Sequence, residues 1–115
     1  MWIGVDLDGT LAHYDGWRGD THIGEPIWPM VSRVKRWLGA GKVVKIFTAR
    51  LDQNTPEYRD IVVARIREWL ITSAGLPADL EVTNTKDRHM AQLWDDRAVA
   101  VEANTGHVLG GVVRE

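Results

Sequence analysis

Trp2-Ile3-Gly4-Val5-Asp6-Leu7-Asp8-Gly9-Thr10-Leu11 begins as an uninterrupted apolar run and stops on a carboxylate. Such a run, without the alternation of a half-exposed strand, suits a strand buried on both faces, as in a parallel sheet. Asp6 then falls at the carboxyl end of that strand, and Gly9 lets the backbone bend away just beyond it.

The same sentence structure recurs along the chain. From Gly9 to Pro29 the text is turn-rich (Asp15-Gly16, Gly19-Asp20, Gly24 and two prolines) and reads as a loop with room for a hairpin. Pro29 suits a first helical position, after which Met30, Val31, Val34, Trp37 and Leu38 recur at helical spacing until Gly39 and Gly41 end the helix. Val43, Val44, Ile46 and Phe47 form a second buried strand ending at Thr48. A second helix opens at Thr55-Pro56, carries Tyr58, Ile61, Val62, Ile66, Trp69 and Leu70 as its apolar stripe, and closes at Gly75 and Pro77. Leu80 to Thr83 and Ala91 to Trp94 are expected as third and fourth strands, the latter stopping at Asp95-Asp96. Val99 and Val101, then Val108, Val112 and Val113, suggest further short strands around Asn104-Thr105-Gly106. Strand, helix, strand, helix, strand is the order of one α/β domain with a mainly parallel, Rossmann-like sheet, and it occupies residues 1–115.

Composition agrees with that reading. The 115 residues are 44% hydrophobic and 26% charged, which excludes a disordered chain. A formal charge of −2 offers no basic glove for nucleic acid overall, although a local cluster is compatible with it. The absence of cysteine excludes disulfides and thiolate metal sites and points to a reducing, cytoplasmic setting. Met1 to Asp6 lacks the basic start of a signal peptide, and no apolar stretch is long enough to span a membrane.

In an open parallel sheet the ligand site lies beyond the carboxyl ends of the strands. Asp6, Thr48 and Asp95-Asp96 all belong to that edge, so carboxylates and one hydroxyl are expected to converge there. Gathered acids repel and raise one another's pKa unless a cation is present, and a hard divalent ion such as Mg²⁺ prefers such oxygen donors.

Asp6-Leu7-Asp8-Gly9-Thr10-Leu11 resembles the first motif of the haloacid-dehalogenase (HAD) superfamily of phosphohydrolases. Thr48 after its strand resembles the second motif, Lys86 the third, and Asp95-Asp96 the fourth, in the same order. The resemblance implies that Asp6 is a nucleophile giving an aspartyl-phosphate, and that Asp8 is the acid and base serving the leaving group and then water. Thr48 and Lys86 would hold and neutralise the phosphoryl group. Mg²⁺ would be held by Asp6, the backbone carbonyl of Asp8, and the Asp95-Asp96 pair, with Asp96 as direct ligand and Asp95 behind it. Gly9, Thr10, Ala49 and Arg50 are the expected substrate-side residues, the planar fork of Arg50 suiting a second phosphate or a carboxylate.

The intervals from Leu11 to Phe47 and from Ala49 to Thr85 are consumed by one helix and one strand each, plus loop, leaving no chain for the cap domain many relatives carry. The expected site is open unless the Gly9–Trp28 loop or the partner in a homo-oligomer covers it. Thr48-Ala49-Arg50, Lys86-Asp87 and Asp95-Asp96-Arg97 together look like the phosphatase half of phage polynucleotide kinase-phosphatases, so a nucleotide or a nucleic-acid 3′-phosphate end is the implied substrate. No phosphate-cradling kinase loop is present.

Each motif has a plainer reading alone: Asp8-Gly9 as a turn, Thr48 as a cap, Lys86 as a solvated side chain, Asp95-Asp96-Arg97 as a surface turn. Two alternatives therefore stand beside the leading one: a small-metabolite phosphatase with a subunit-supplied cover, and a receiver-like phosphate-binding module without turnover. Asp8 separates phosphatase from receiver, since a phosphatase needs an acid and base two residues after its nucleophile. The receiver reading expects its paired acids after the first strand and its phosphoacceptor after a later one, the reverse of the arrangement here. Of six tryptophans, Trp2, Trp37, Trp69 and Trp94 fall on strand or helix stripes and are expected in the core. Trp17 and Trp28 lie in the loop beside the first motif, to pin it or to stack on a base. His13, His22, His89 and His107 show no metal-ligand spacing.

Overall fold

The computed structural model describes residues 1–52 and 55–110. Four strands, β1 (Trp2–Asp6), β2 (Val43–Phe47), β3 (Glu81–Thr83) and β4 (Met90–Trp94), form an all-parallel sheet in the order β3-β2-β1-β4. Helix α1 (Trp28–Gly39) connects β1 to β2, and α2 (Pro56–Trp69) runs into a π-helical turn (Leu70–Ala74) before β3. The α/β class and the parallel sheet expected from the sequence are both present.

Side-chain alternation along the strands determines which face is packed. Ile3 and Val5 of β1 and Val44 and Ile46 of β2 point to one face, where they meet Met30, Val31 and Val34 of α1 and Val62, Ile66 and Trp69 of α2. Both helices therefore cover the same side. Val62, Ile66 and Trp69 follow the four- and three-residue steps of a helix stripe, whereas Ile61 stands about 100° from Val62 and is exposed, as is Tyr58 in the first turn. Thr55 caps α2 as expected, its side chain accepting the Tyr58 N–H at 3.2 Å.

Trp2 and Trp69 are buried; Trp37 and Trp94 are partly so and pack on each other with centroids 5.1 Å apart. Trp17 and Trp28 remain in water.

The turn-rich loop after β1 is pinched at its base. Ala12 bridges Pro26 in antiparallel fashion, the His13 N–H donates to the Glu25 carbonyl at 2.7 Å, and the Ile27 N–H donates to Leu11 at 2.8 Å. A Cβ on Gly24 would run into the His13 carbonyl, so only glycine lets the two arms close.

The strands expected after residue 98 require correction. Among the described residues this segment contains one antiparallel bridge, Val101 to Val108, around a turn with Asn104 at φ 65°. Val99, Val101 and Val108 are about half exposed, because among the described residues the segment pairs with no sheet edge and a lone two-stranded ribbon is marginal. Val112 and Val113 lie outside the described residues. Among the described residues no helix is long and apolar enough to cross a membrane.

Candidate active site

Strand register brings the site together. Asp6 is paired with Phe47 across β1 and β2, Phe47 with Thr83, and Val5 with Trp94 across β1 and β4. Asp6, Thr48 and Asp95 consequently emerge at the same edge of the sheet. Chain order reverses between β1 and β4, since β2 and β3 lie on one side of β1 and β4 on the other. A crevice opens at such a reversal, outside the carboxyl ends.

A cleft of about 620 Å³ lies there, lined by Asp6, Asp8, Thr48, Ala49, Arg50, Asp95 and Asp96 together with Tyr14, Trp17, Phe47 and Arg97. Carboxylate oxygens of Asp6, Asp95 and Asp96 lie within 4.8 Å of one another. Burial first, then the charges of Asp95 and Asp96, push the Asp6 carboxyl up to about 8 from its ordinary 3.8. Three hard oxygen donors, with the Asp6 carboxyl pushed up by burial and by its acidic neighbours, are a suitable set for a divalent cation.

Gly9 and Thr10 lie under the cluster rather than in the cleft wall. The Thr10 hydroxyl lies 3.3 Å from Asp6 Oδ2 and 3.2 Å from Asp96 Oδ1, and accepts the Asp96 backbone N–H at 2.9 Å. Its one proton is thus available to either carboxylate, and it ties the ends of β1 and β4 together. Gly9 has φ 92°, and a Cβ there would stand 2.5 Å from Asp96 Oδ2. Both residues position the acids.

Thr48 is buried, and its hydroxyl oxygen accepts the Arg50 N–H at 3.1 Å, starting a 3₁₀ turn over Ala49–Leu51. Arg50 is also buried, at 6% exposure. Its fork takes a carboxylate from within the chain: Nε donates to Asp8 Oδ2 at 2.8 Å and Nη2 to Asp8 Oδ1 at 2.9 Å. It further donates to the backbone carbonyls of Asp20 (2.8 Å) and His22 (2.7 Å), which fastens the long loop over the sheet edge. The guanidinium carbon lies 5.0 Å from the Trp17 ring centroid.

Lys86 is not brought into the cleft. It is exposed in the connection from β3 to β4. Its neighbour Asp87 is exposed as well, and the Trp2 indole N–H (2.9 Å) and the His89 backbone N–H (2.8 Å) hold its carboxyl below the ordinary value. Arg97 supplies positive charge at the cleft instead. Its position directly after the acid pair was the only sequence signal for it, and that triplet also reads as a surface turn. Tyr14 carried no signal beyond its place in the loop.

No family model, curated protein or solved structure matches the chain.

Proposed function

We propose that this chain is a Mg²⁺-dependent phosphomonoester hydrolase of the capless HAD type, acting on a nucleotide or a nucleic-acid 3′-phosphate end. The observation that carries this reading is the convergence of Asp6, Asp95 and Asp96 within 4.8 Å in the cleft that Asp8 and Thr48 also line. Asp6, the Asp8 backbone carbonyl and the Asp95-Asp96 pair would hold Mg²⁺, which would neutralise negative charge on the phosphoryl group and on the acids themselves.

The chain's own residues account for both half-reactions. An Asp6 oxygen attacks phosphorus as the bond to the leaving oxygen breaks, and Asp8 gives that oxygen a proton. Water then attacks the aspartyl-phosphate, passing a proton to Asp8 and releasing inorganic phosphate and free Asp6. The Thr48 hydroxyl, whose oxygen is already used as an acceptor, keeps its proton for a phosphoryl oxygen. Arg97 stands in the cleft where the third-motif lysine was expected to add charge. Arg50 holds both Asp8 oxygens, so Asp8 must release at least one of those contacts to reach a leaving group.

The test is hydrolysis of an aryl phosphate by the purified chain. Turnover is expected with Mg²⁺, none with EDTA, and none from Asp6→Asn. Metal-independent turnover, or an active Asp6→Asn variant, would overturn the reading.

A further inference from the structure

The cleft lining has two unlike parts. One is the acid cluster; the other comes from the loop after β1, which contributes Tyr14 and Trp17. Both residues are about half exposed and line the cleft, so their rings are accessible to a ligand within it. Trp17 is also firmly presented. It lies against Arg50, which is anchored by Asp8 and by the carbonyls of Asp20 and His22, and the loop's base is closed by the His13–Glu25 and Ile27–Leu11 hydrogen bonds. A ring pre-positioned in this way needs little ordering when a planar partner stacks on it.

Charge limits what that partner is. Among the described residues, Arg50 and Arg97 are the basic side chains lining the cleft, and Arg50 is committed to Asp8. A nucleic-acid strand requires a track of Lys and Arg along its phosphates, which this lining lacks. The cleft volume of about 620 Å³ falls within the range of small-molecule sites.

We propose that Tyr14 and Trp17 form a stacking site for the base of a single nucleotide, so that the substrate is a nucleoside monophosphate rather than a polymer end. The placement of its phosphate at Asp6 rests on the phosphatase reading; the stacking site does not.

Calorimetric titration of the full chain in EDTA, with adenosine monophosphate, glycerol phosphate and a single-stranded 3′-phosphorylated oligonucleotide, separates the two ideas because it needs no turnover. Adenosine monophosphate is expected to bind more tightly than glycerol phosphate, and Trp17→Ala to shrink that preference by roughly 5- to 150-fold, the range base–aromatic stacking supplies. Trp17→Phe should retain most of the preference, and Tyr14→Ala should lose part of it. Equal binding of the two small phosphates, or a preference that survives removal of both rings, would overturn the stacking site. An oligonucleotide bound more than about tenfold tighter than the mononucleotide would overturn the restriction to one nucleotide. A chain that hydrolyses no phosphomonoester yet shows the ring-dependent preference would refute the phosphatase reading alone.

Discussion

Arg50 grips both carboxylate oxygens of Asp8, at 2.8 and 2.9 Å, from a position 42 residues further along the chain. The pair is largely enclosed, with side-chain exposures of 4% and 20%. It joins the turn after β2 to the segment after β1, and through Asp20 and His22 it holds the intervening loop as well.

Removing the guanidinium leaves Asp8 charged in a mostly buried place and releases two loop carbonyls. Arg50→Ala is therefore expected to cost about 3–5 kcal/mol of stability. Arg50→Lys should recover only part of that, because an ammonium cannot match the bidentate geometry. Chemical denaturation of the three proteins measures both effects; a loss below about 1 kcal/mol in Arg50→Ala would contradict this account.

Asp6 gives the metal-free protein a pH dependence of definite sign. Its carboxyl takes up a proton more readily folded, at about 8, than unfolded, at 3.8. The associated stability is complete below the unfolded value and is lost as pH rises through about 8. In EDTA, Asp6→Asn should melt above the native protein at about pH 9, and the difference should close towards about pH 4. Parallel melting curves at both pH values would contradict the burial and repulsion described for Asp6.

Mg²⁺ should raise the melting temperature at alkaline pH by relieving that repulsion, and the rise should largely disappear when Asp96 is changed to Asn. A metal bound at saturation, near 100 times its dissociation constant, stabilises by about 2.7 kcal/mol. An unchanged shift in Asp96→Asn would remove this carboxylate from the metal site.

Gly9→Ala is expected to disturb the acid cluster directly. The added Cβ would approach Asp96 Oδ2, and a left-handed backbone costs a non-glycine residue about 1–2 kcal/mol before that contact is counted. Both the melting temperature and the Mg²⁺-induced shift should fall. A variant that keeps the full shift would show that Gly9 does not set the position of Asp96.

The framework was readable because apolar runs end where strands end. Asp6, Thr48 and Asp95 each follow such a run, and a parallel sheet brings their positions to one edge. Pro29 and Thr55-Pro56 marked the helix starts for equally local reasons. What escaped were pairings settled by loop closure. Nothing near Arg50 in sequence names Asp8 as its partner, and nothing near Lys86 says that the chain between β3 and β4 leaves it outside the cleft. Val99, Val101 and Val108 carry strand composition, but a strand also needs a neighbour, and among the described residues this segment has one bridge.

The strand order β3-β2-β1-β4 distributes the acids unequally. Asp6 follows a strand paired on both sides, while Asp95 and Asp96 follow β4, which among the described residues pairs with β1 alone. Edge strands open more readily than central ones, so amide hydrogens of β4 should exchange with solvent well before those of β1. Thr10, touching both Asp6 and Asp96, clasps that seam at its carboxyl end, and the Trp2 indole N–H on Asp87 spans the other end. Assembling the cluster is thereby tied to docking β4 on β1: whatever draws Asp96 towards Asp6 also favours that pairing.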